Sequence, residues 1–167
     1  MTEDIRIRRL AEHDWDAIVA LECRAYSASG LSEGRDALRA KGHISPGTCF
    51  VLEYRGLFGG YLLALPYPRL RCPDLGSAEN PGTGYRNLHT HDMVISEQAR
   101  GRGLSATLLN HVADTARRSP DFDTVSLVAV HDTETRWAAL GYRAHPEIEL
   151  PENYGIGAVY MSMTLDA

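Results

Sequence analysis

The sequence is poor in cysteine, in long apolar runs and in positive charge, and each shortage closes off a class of protein. Its three cysteines, Cys23, Cys49 and Cys72, are odd in number and form no CxxC pair. Neither a disulfide framework nor a zinc site is expected from them. No apolar stretch approaches the roughly 20 residues that span a bilayer, and the opening MTEDIRIRRL lacks the apolar core of a secretory signal. A cytoplasmic location with no membrane partner is therefore the expectation. The formal net charge of −5 at pH 7 argues against nonspecific binding to nucleic acid and mildly favours cationic substrates. Internal repeats, low-complexity tracts and domain linkers are also missing. What remains is an ordinary globular composition, 44% hydrophobic and 23% charged over 167 residues, enough for one domain with a sizeable core.

Periodicity supplies the elements. Ile5-Arg6-Ile7-Arg8 alternates as a strand. Residues 11–26 carry Trp15, Ile18, Val19 and Glu22 at helical spacings, with Asp14 as the expected cap. A weaker helix follows over 35–43. TCFVLEY and LFGGYLLAL are strand-forming runs separated by Arg55-Gly56, which predicts a hairpin. Residues 66–86 form a long connection rich in proline and glycine, and loops of that length are often functional. NLHTHDMVI is the next strand, DTVSLVAV a buried one and AVYMSMTL the last. A helix with Leu104, Leu108, Val112 and Ala116 on one face and a short TETRWAALGY helix complete the chain. Such interleaving predicts an α/β or α+β fold with a mixed sheet.

Between the NLHTHDMVI strand and the leucine-bearing helix lies SEQARGRGLSATLL. A strand, a glycine turn and a helix start make an anion site, because the first helical N–H groups lack internal partners and carry partial positive charge. Gly101 and Gly103 let the backbone approach phosphate oxygens, and Arg100 and Arg102 add charge from the sides. The GxxxxGKS/T phosphate loop is absent, and no early βαβ unit surrounds the turn to support a GxGxxG dinucleotide loop.

The turn resembles the signature of the GNAT family of acetyl-CoA-dependent N-acetyltransferases, Arg/Gln-x-x-Gly-x-Gly/Ala after an apolar strand. Arg100-Gly101-Arg102-Gly103-Leu104-Ser105 fits it with Ser105 in place of Gly or Ala, and a second register begins at Gln98. The Arg100 register is preferred, since Leu108-Leu109 then fall as they do in the family. RWAALGY resembles the family's short helix ending in Gly-Phe or Gly-Tyr, and the order of elements agrees along nearly the whole chain, residues 1–167.

The resemblance implies a single GNAT-like domain. Its sheet would be mixed, mostly antiparallel, of six to seven strands, flanked by about four helices, with a splayed strand at the acyl-CoA site. Acetyl-CoA would be the donor. The amides of residues 100–105 would hold its pyrophosphate, and Met93-Val94-Ile95 would pair with the pantetheine arm. An N–H near Met93 or Val94 would stabilise the oxyanion as a primary amine, on a small molecule or a peptide, attacks the thioester directly. No metal is required, and a homodimer is compatible with the family.

The amine must lose a proton before it attacks, and a histidine near neutrality suits that task. His89 and His91 are expected on one face of the strand, with Asp92 on the other. His89 is the preferred base, since it stands where some members of the family carry a catalytic glutamate, while His91 lies nearer the expected thioester. The family's acidic tyrosine is replaced by Trp137, which packs against CoA or fills the core. An indole N–H is no practical acid, so the thiolate leaves unaided or another group serves. Val130-His131-Asp132 stands where many relatives carry an asparagine. Glu22, Tyr26 and Glu33 are candidates for receiving a cationic amine. Two other readings compete: a non-catalytic acyl-CoA-binding regulatory module, motivated by Trp137, and a metal-dependent hydrolase, motivated by the HxH pair His89/His91.

Overall fold

The computed structural model describes residues 4–73, 84–130 and 132–166. The centre of the long connection and His131 lie outside the described residues. Seven strands form one sheet in the order β1-β2-β3-β4-β5-β7-β6. They are β1 (Ile5–Arg9), β2 (Cys49–Tyr54), β3 (Leu57–Pro66), β4 (Asn87–Ile95), β5 (Thr124–Ala129), β6 (Arg143–His145) and β7 (Val159–Thr164). The first four run antiparallel in sequence order, as do β5 with β7 and β6 with β7. Only β4 and β5 are parallel, which obliges the chain to cross over through a helix between them.

Four α-helices cover the sheet: α1 (Trp15–Tyr26), α2 (Arg35–Ile44), α3 (Leu104–Arg117) and α4 (Glu134–Ala138). Alternation along the strands feeds two cores. On one face Leu62, Leu88, Val125 and Met161 pack with Leu104, Leu108 and Val112 of α3 and Trp137 of α4. On the other, Val51, Tyr61, Leu63 and Val94 pack with Trp15, Ile18 and Leu21 of α1 and Leu38 of α2. The mixed, mostly antiparallel sheet of seven strands and four helices is the architecture the sequence predicts. No described helix is long and apolar enough to cross a membrane.

Local differences have local causes. The β2–β3 hairpin turns at Arg55 and Gly56 with φ of 53° and 79°, the left-handed pair a two-residue hairpin needs. Asp14 does not cap α1. Its carboxylate takes two hydrogen bonds from Arg8 at 2.8 Å and one from the Ala11 N–H at 2.7 Å, tying the helix start to β1. The short helix ends at Ala138, and Arg143–His145 beyond Gly141 forms β6. Three residues are too few for any periodicity to announce a strand.

Candidate active site

The site is made by two irregularities of β4. Thr90 pairs with Ala64 and Asp92 with Leu63, so His91 is an extra residue, a bulge with no opposite partner on β3. The bulge resets the alternation. Asp92, expected on the face opposite the histidines, instead bonds the hydroxyl of Tyr61 at 2.7 Å, within the α1–α2 layer. His89 and His91 lie edge to face with ring centres 4.9 Å apart, and all three side chains border one cavity.

The second irregularity is a splay. Pairing of β4 with β5 runs from Asn87↔Thr124 to Thr90↔Leu127 and stops there, while β4 continues to Ile95. Ser96 donates its N–H to Gly59 across β3. By alternation the Val94 N–H also points to β3, whereas the backbone groups of Met93 and Ile95 point across the gap. Two of those groups are engaged: the Met93 carbonyl accepts from Tyr26 Oη at 3.1 Å, and the Ile95 carbonyl from Arg100 Nε at 3.3 Å. The N–H groups of Met93 and Ile95 face the gap. A cavity of about 360 Å³ opens there, with β4 on one side and Leu127, Val128 and Val130 on the other.

The glycine turn closes one end. Gly101 and Gly103 have φ of 77° and 72°, a conformation natural for glycine and costly for other residues. A Cβ at either position would meet nothing within 4 Å, so backbone conformation, not crowding, explains both glycines. Gly103 precedes α3, whose first residue Leu104 is buried in the core. Arg100 and Ser105 line the cavity. Arg102 does not; its guanidinium lies 4.8 Å from the Tyr54 ring centre.

Beside the histidines lies a buried ionic cluster. One ligand oxygen from each of Glu22, Glu33 and Asp92 falls within 4.8 Å of the others. Glu22 is held by the Ser32 hydroxyl at 2.5 Å and the Glu33 N–H at 2.7 Å. Glu33 pairs with Lys41, the chain's only lysine. Three carboxylates thus face a single ammonium. Neither histidine joins them in a set of three potential metal ligands among the described residues.

This environment sets the protonation states. Burial foremost, with the charge of Lys41, takes His89 down to about 3. Burial, then His89 and Lys41, holds His91 well below its ordinary value. Both are neutral imidazoles at physiological pH. Burial first, with Glu33 and Glu22 adding to it, lifts Asp92 to about 7 against the opposing pull of the Tyr61 hydroxyl and Lys41. Because Asp92 binds its proton more tightly folded than unfolded, its contribution to stability falls as pH rises from about 4 to 7. The expected consequence is that Asp92→Asn melts at least ~3 °C above wild type at pH 8. Near pH 4 the two should melt together, and differential scanning fluorimetry across that range checks it.

Trp137 lines the cavity and is 6% exposed. Its indole N–H donates to Thr133 Oγ1 at 2.9 Å, one helical turn away, so the ring is a packed wall with its polar edge already used. Trp137→Phe is expected to keep turnover within ~3-fold of wild type while lowering the melting temperature; a loss near 100-fold would mark the indole as a participant.

Of the residues singled out from sequence, His89, His91, Met93, Val94 and Ile95 line the cavity from β4. Arg100, Ser105, Trp137, Tyr26 and Glu33 border it from other elements. Glu22, 1% exposed, stands behind Glu33 instead of bordering the cavity, and Gly101, Arg102, Gly103 and Leu104 lie on the turn outside its lining. Asp92, Lys41, Tyr61, Ser126 and Arg136 were not anticipated. Only Asp92 carried a signal in the sequence, and the bulge that brings it to the histidines has no signature there.

The comparisons with known proteins agree with this geometry. No curated protein sequence matches the chain. Among solved structures, GphF, a GNAT-like decarboxylase in complex with isobutyryl-CoA, is 21% identical with a TM-score of 0.78, covering 96% of this chain and 100% of that one. Arabidopsis thaliana Naa50, in complex with the bisubstrate analogue CoA-Ac-MVNAL, is 14% identical with a TM-score of 0.70, covering 95% and 97%. A GNAT-family acetyltransferase from Staphylococcus aureus Mu50 is 11% identical with a TM-score of 0.69, covering 97% and 99%. At such identities these structures speak for the fold. The Acetyltransferase (GNAT) family model matches residues 15–142, spanning the bulged strand, the glycine turn and the Trp137 helix, and on that match the chain belongs to the GNAT acetyltransferase family.

Proposed function

We propose that the chain is an N-acyltransferase that moves an acetyl group from acetyl-CoA to a cationic amine by direct attack. One observation carries the reading: the open edge of β4 presents two backbone N–H groups between a glycine turn suited to anions and an imidazole nitrogen, His91 Nε2, that is buried without a partner among the described residues. The fit to acyl-CoA rests on the same features. The Gly101–Gly103 turn at the start of α3 would receive the pyrophosphate, and the outward Ile95 N–H would pair with the amide-bearing pantetheine arm, leaving the Met93 N–H for the acyl oxygen. The thioester supplies an activated acyl carbon. The chain supplies a dry, preorganised site.

His91 is the base. Its ring lines the cavity and is held neutral, so one of its two nitrogens is free to take a proton at neutral pH. The Met93 N–H, which faces the gap while the Val94 N–H points to β3, would stabilise charge on the acyl oxygen. The Glu33 and Asp92 carboxylates on the cavity wall favour an acceptor that arrives as an ammonium, a small molecule or a peptide end. With the Trp137 N–H engaged, no side-chain acid is assigned: the CoA thiolate departs on its own low basicity, His91 takes one proton from the acceptor nitrogen, and the second passes to the thiolate or to solvent.

The test is a panel of primary amines incubated with acetyl-CoA, following CoA release and product mass. Acetylation of cationic members, with neutral isosteres left unmodified, supports the reading. GphF is a decarboxylase, so the same assay includes a malonyl-type donor. Loss of CO2 with no amine consumed would overturn the proposal, as would tight CoA binding with no turnover, the outcome expected of a regulatory binding module.

A further inference from the structure

Behind the two histidines runs a buried chain of hydrogen bonds that the proposed reaction does not use. Asn87 Nδ2 lies 3.3 Å from the Tyr67 carbonyl and 2.9 Å from Ser126 Oγ, and Asn87 Oδ1 accepts from Thr124 Oγ1 at 2.7 Å. A carbonyl only accepts, so the Asn87 amide is oriented, and its NH2 donates to Ser126. Tyr160 Oη accepts the Leu70 N–H at 3.0 Å. Ser126 Oγ is 2.7 Å from His89 Nδ1. Asn87, Ser126 and His89 are each at most 1% exposed, and Tyr160 is fully buried.

Counting hydrogens leaves one arrangement in which every group is satisfied. Among the described residues Ser126 Oγ has two hydrogen-bond partners, Asn87 Nδ2, which only donates, and His89 Nδ1. Asn87 donates to one Ser126 lone pair, and the single Ser126 hydrogen goes to His89 Nδ1. The reverse arrangement, with His89 donating to Ser126, strands the Ser126 hydrogen in the interior, which is costly. An imidazole that accepts at Nδ1 while neutral carries its proton at Nε2. We infer that Ser126 is a positioning residue that holds the His89 proton on Nε2, making His89 a hydrogen-bond donor to an oxygen of the bound substrate and not a base.

This inference rests on the reading of the cavity as an acyl-transfer site, and it divides the labour on β4. His89 Nδ1 is consumed by Ser126 and Nε2 already bears a hydrogen, so His89 has no nitrogen with which to take a proton. The ring lines the cavity and stacks against Tyr160, with centres 5.9 Å apart and planes 10° apart, which fixes its plane. His91 lies 4.9 Å away and edge to face, and its buried Nε2 has no partner among the described residues. A fixed donor thus stands beside a second neutral imidazole, suited to a substrate that must be held by an oxygen while it loses a proton.

The deciding experiment is 15N NMR of histidine-labelled protein without donor or acceptor, with the His89 signals identified by their loss in His89→Gln. The expected spectrum shows a protonated Nε2 and a bare Nδ1 at His89, unchanged from pH 5.5 to 8.5. Ser126→Ala should release that tautomer into a mixture, whereas Tyr160→Phe, which leaves the Asn87 and His89 bonds of Ser126 in place, should keep it. A wild-type spectrum with the proton on Nδ1 would overturn the inference even if Ser126→Ala failed to fold. Kinetics give a second arm, since glutamine can present an N–H where Nε2 stood. His89→Gln should keep kcat within ~5-fold of wild type while His89→Leu loses ~100-fold; equal losses would refute the donor role. The NMR arm needs no turnover, so it distinguishes failure of this inference from failure of the acyltransferase reading.

Discussion

Replacing His91 with alanine should lower acetyl transfer by roughly 10²–10⁴-fold, the usual worth of a positioned general base. Acetyl-CoA affinity should stay within a few-fold, because the imidazole stands apart from the turn and from the outward N–H groups of β4. Position is the reason for expecting the loss: His91 is a neutral imidazole lining the cavity, and its buried Nε2 has no partner among the described residues. Glutamine should not rescue this position, since it offers no comparable base. His91 itself should add no inflection near pH 6.5 to wild-type kcat/KM, because burial holds it well below its ordinary value; an inflection near 7 belongs to Asp92 and should vanish in Asp92→Asn. Steady-state rates of wild type, His91→Ala, His91→Gln and Asp92→Asn over pH 5.5–9, with CoA binding by calorimetry, check these expectations.

The second large effect is on the donor. Gly103→Val should weaken acetyl-CoA binding by ~100-fold or more, and Gly103→Ala by about 5–30-fold, from a left-handed backbone cost of about 1–2 kcal/mol. Both estimates follow from φ of 72° and from open space around the absent Cβ; the penalty is conformational, and a valine, branched at Cβ, pays more of it. With the turn displaced, the first amides of α3 no longer converge on one point. The same substitutions should leave the two cores intact, so melting should drop by only a few degrees. A rise in KM for acetyl-CoA with amine KM unchanged would place the effect on the donor alone.

Much of the architecture was legible because it rests on periodicity and turn chemistry. Leu104, Leu108, Val112 and Ala116 mark the buried stripe of α3, and Arg55-Gly56 marks the hairpin. The glycine turn was legible for another reason: Gly101 and Gly103 answer a backbone requirement that few other residues meet. The site's chemistry was not. A bulge inserts a residue without any sequence mark, so period-two reasoning sent Asp92 to the wrong face. The partners of the histidines come from far along the chain, Ser126 on β5 and Tyr160 on β7, and long-range pairing is set by sheet order. Lys41 falls within the weaker helix of residues 35–43, and nothing in its local sequence marks it as a buried partner of Glu33, at 4% exposure.

The central claim is that donor and acceptor meet in the one cavity of the β4 splay and react directly. Initial rates with acetyl-CoA and the best amine of the panel, each varied at several fixed levels of the other, test it most directly. Direct transfer in a ternary complex predicts double-reciprocal lines that intersect. Parallel lines, with an acetylated enzyme detected by mass spectrometry when the amine is withheld, would contradict it.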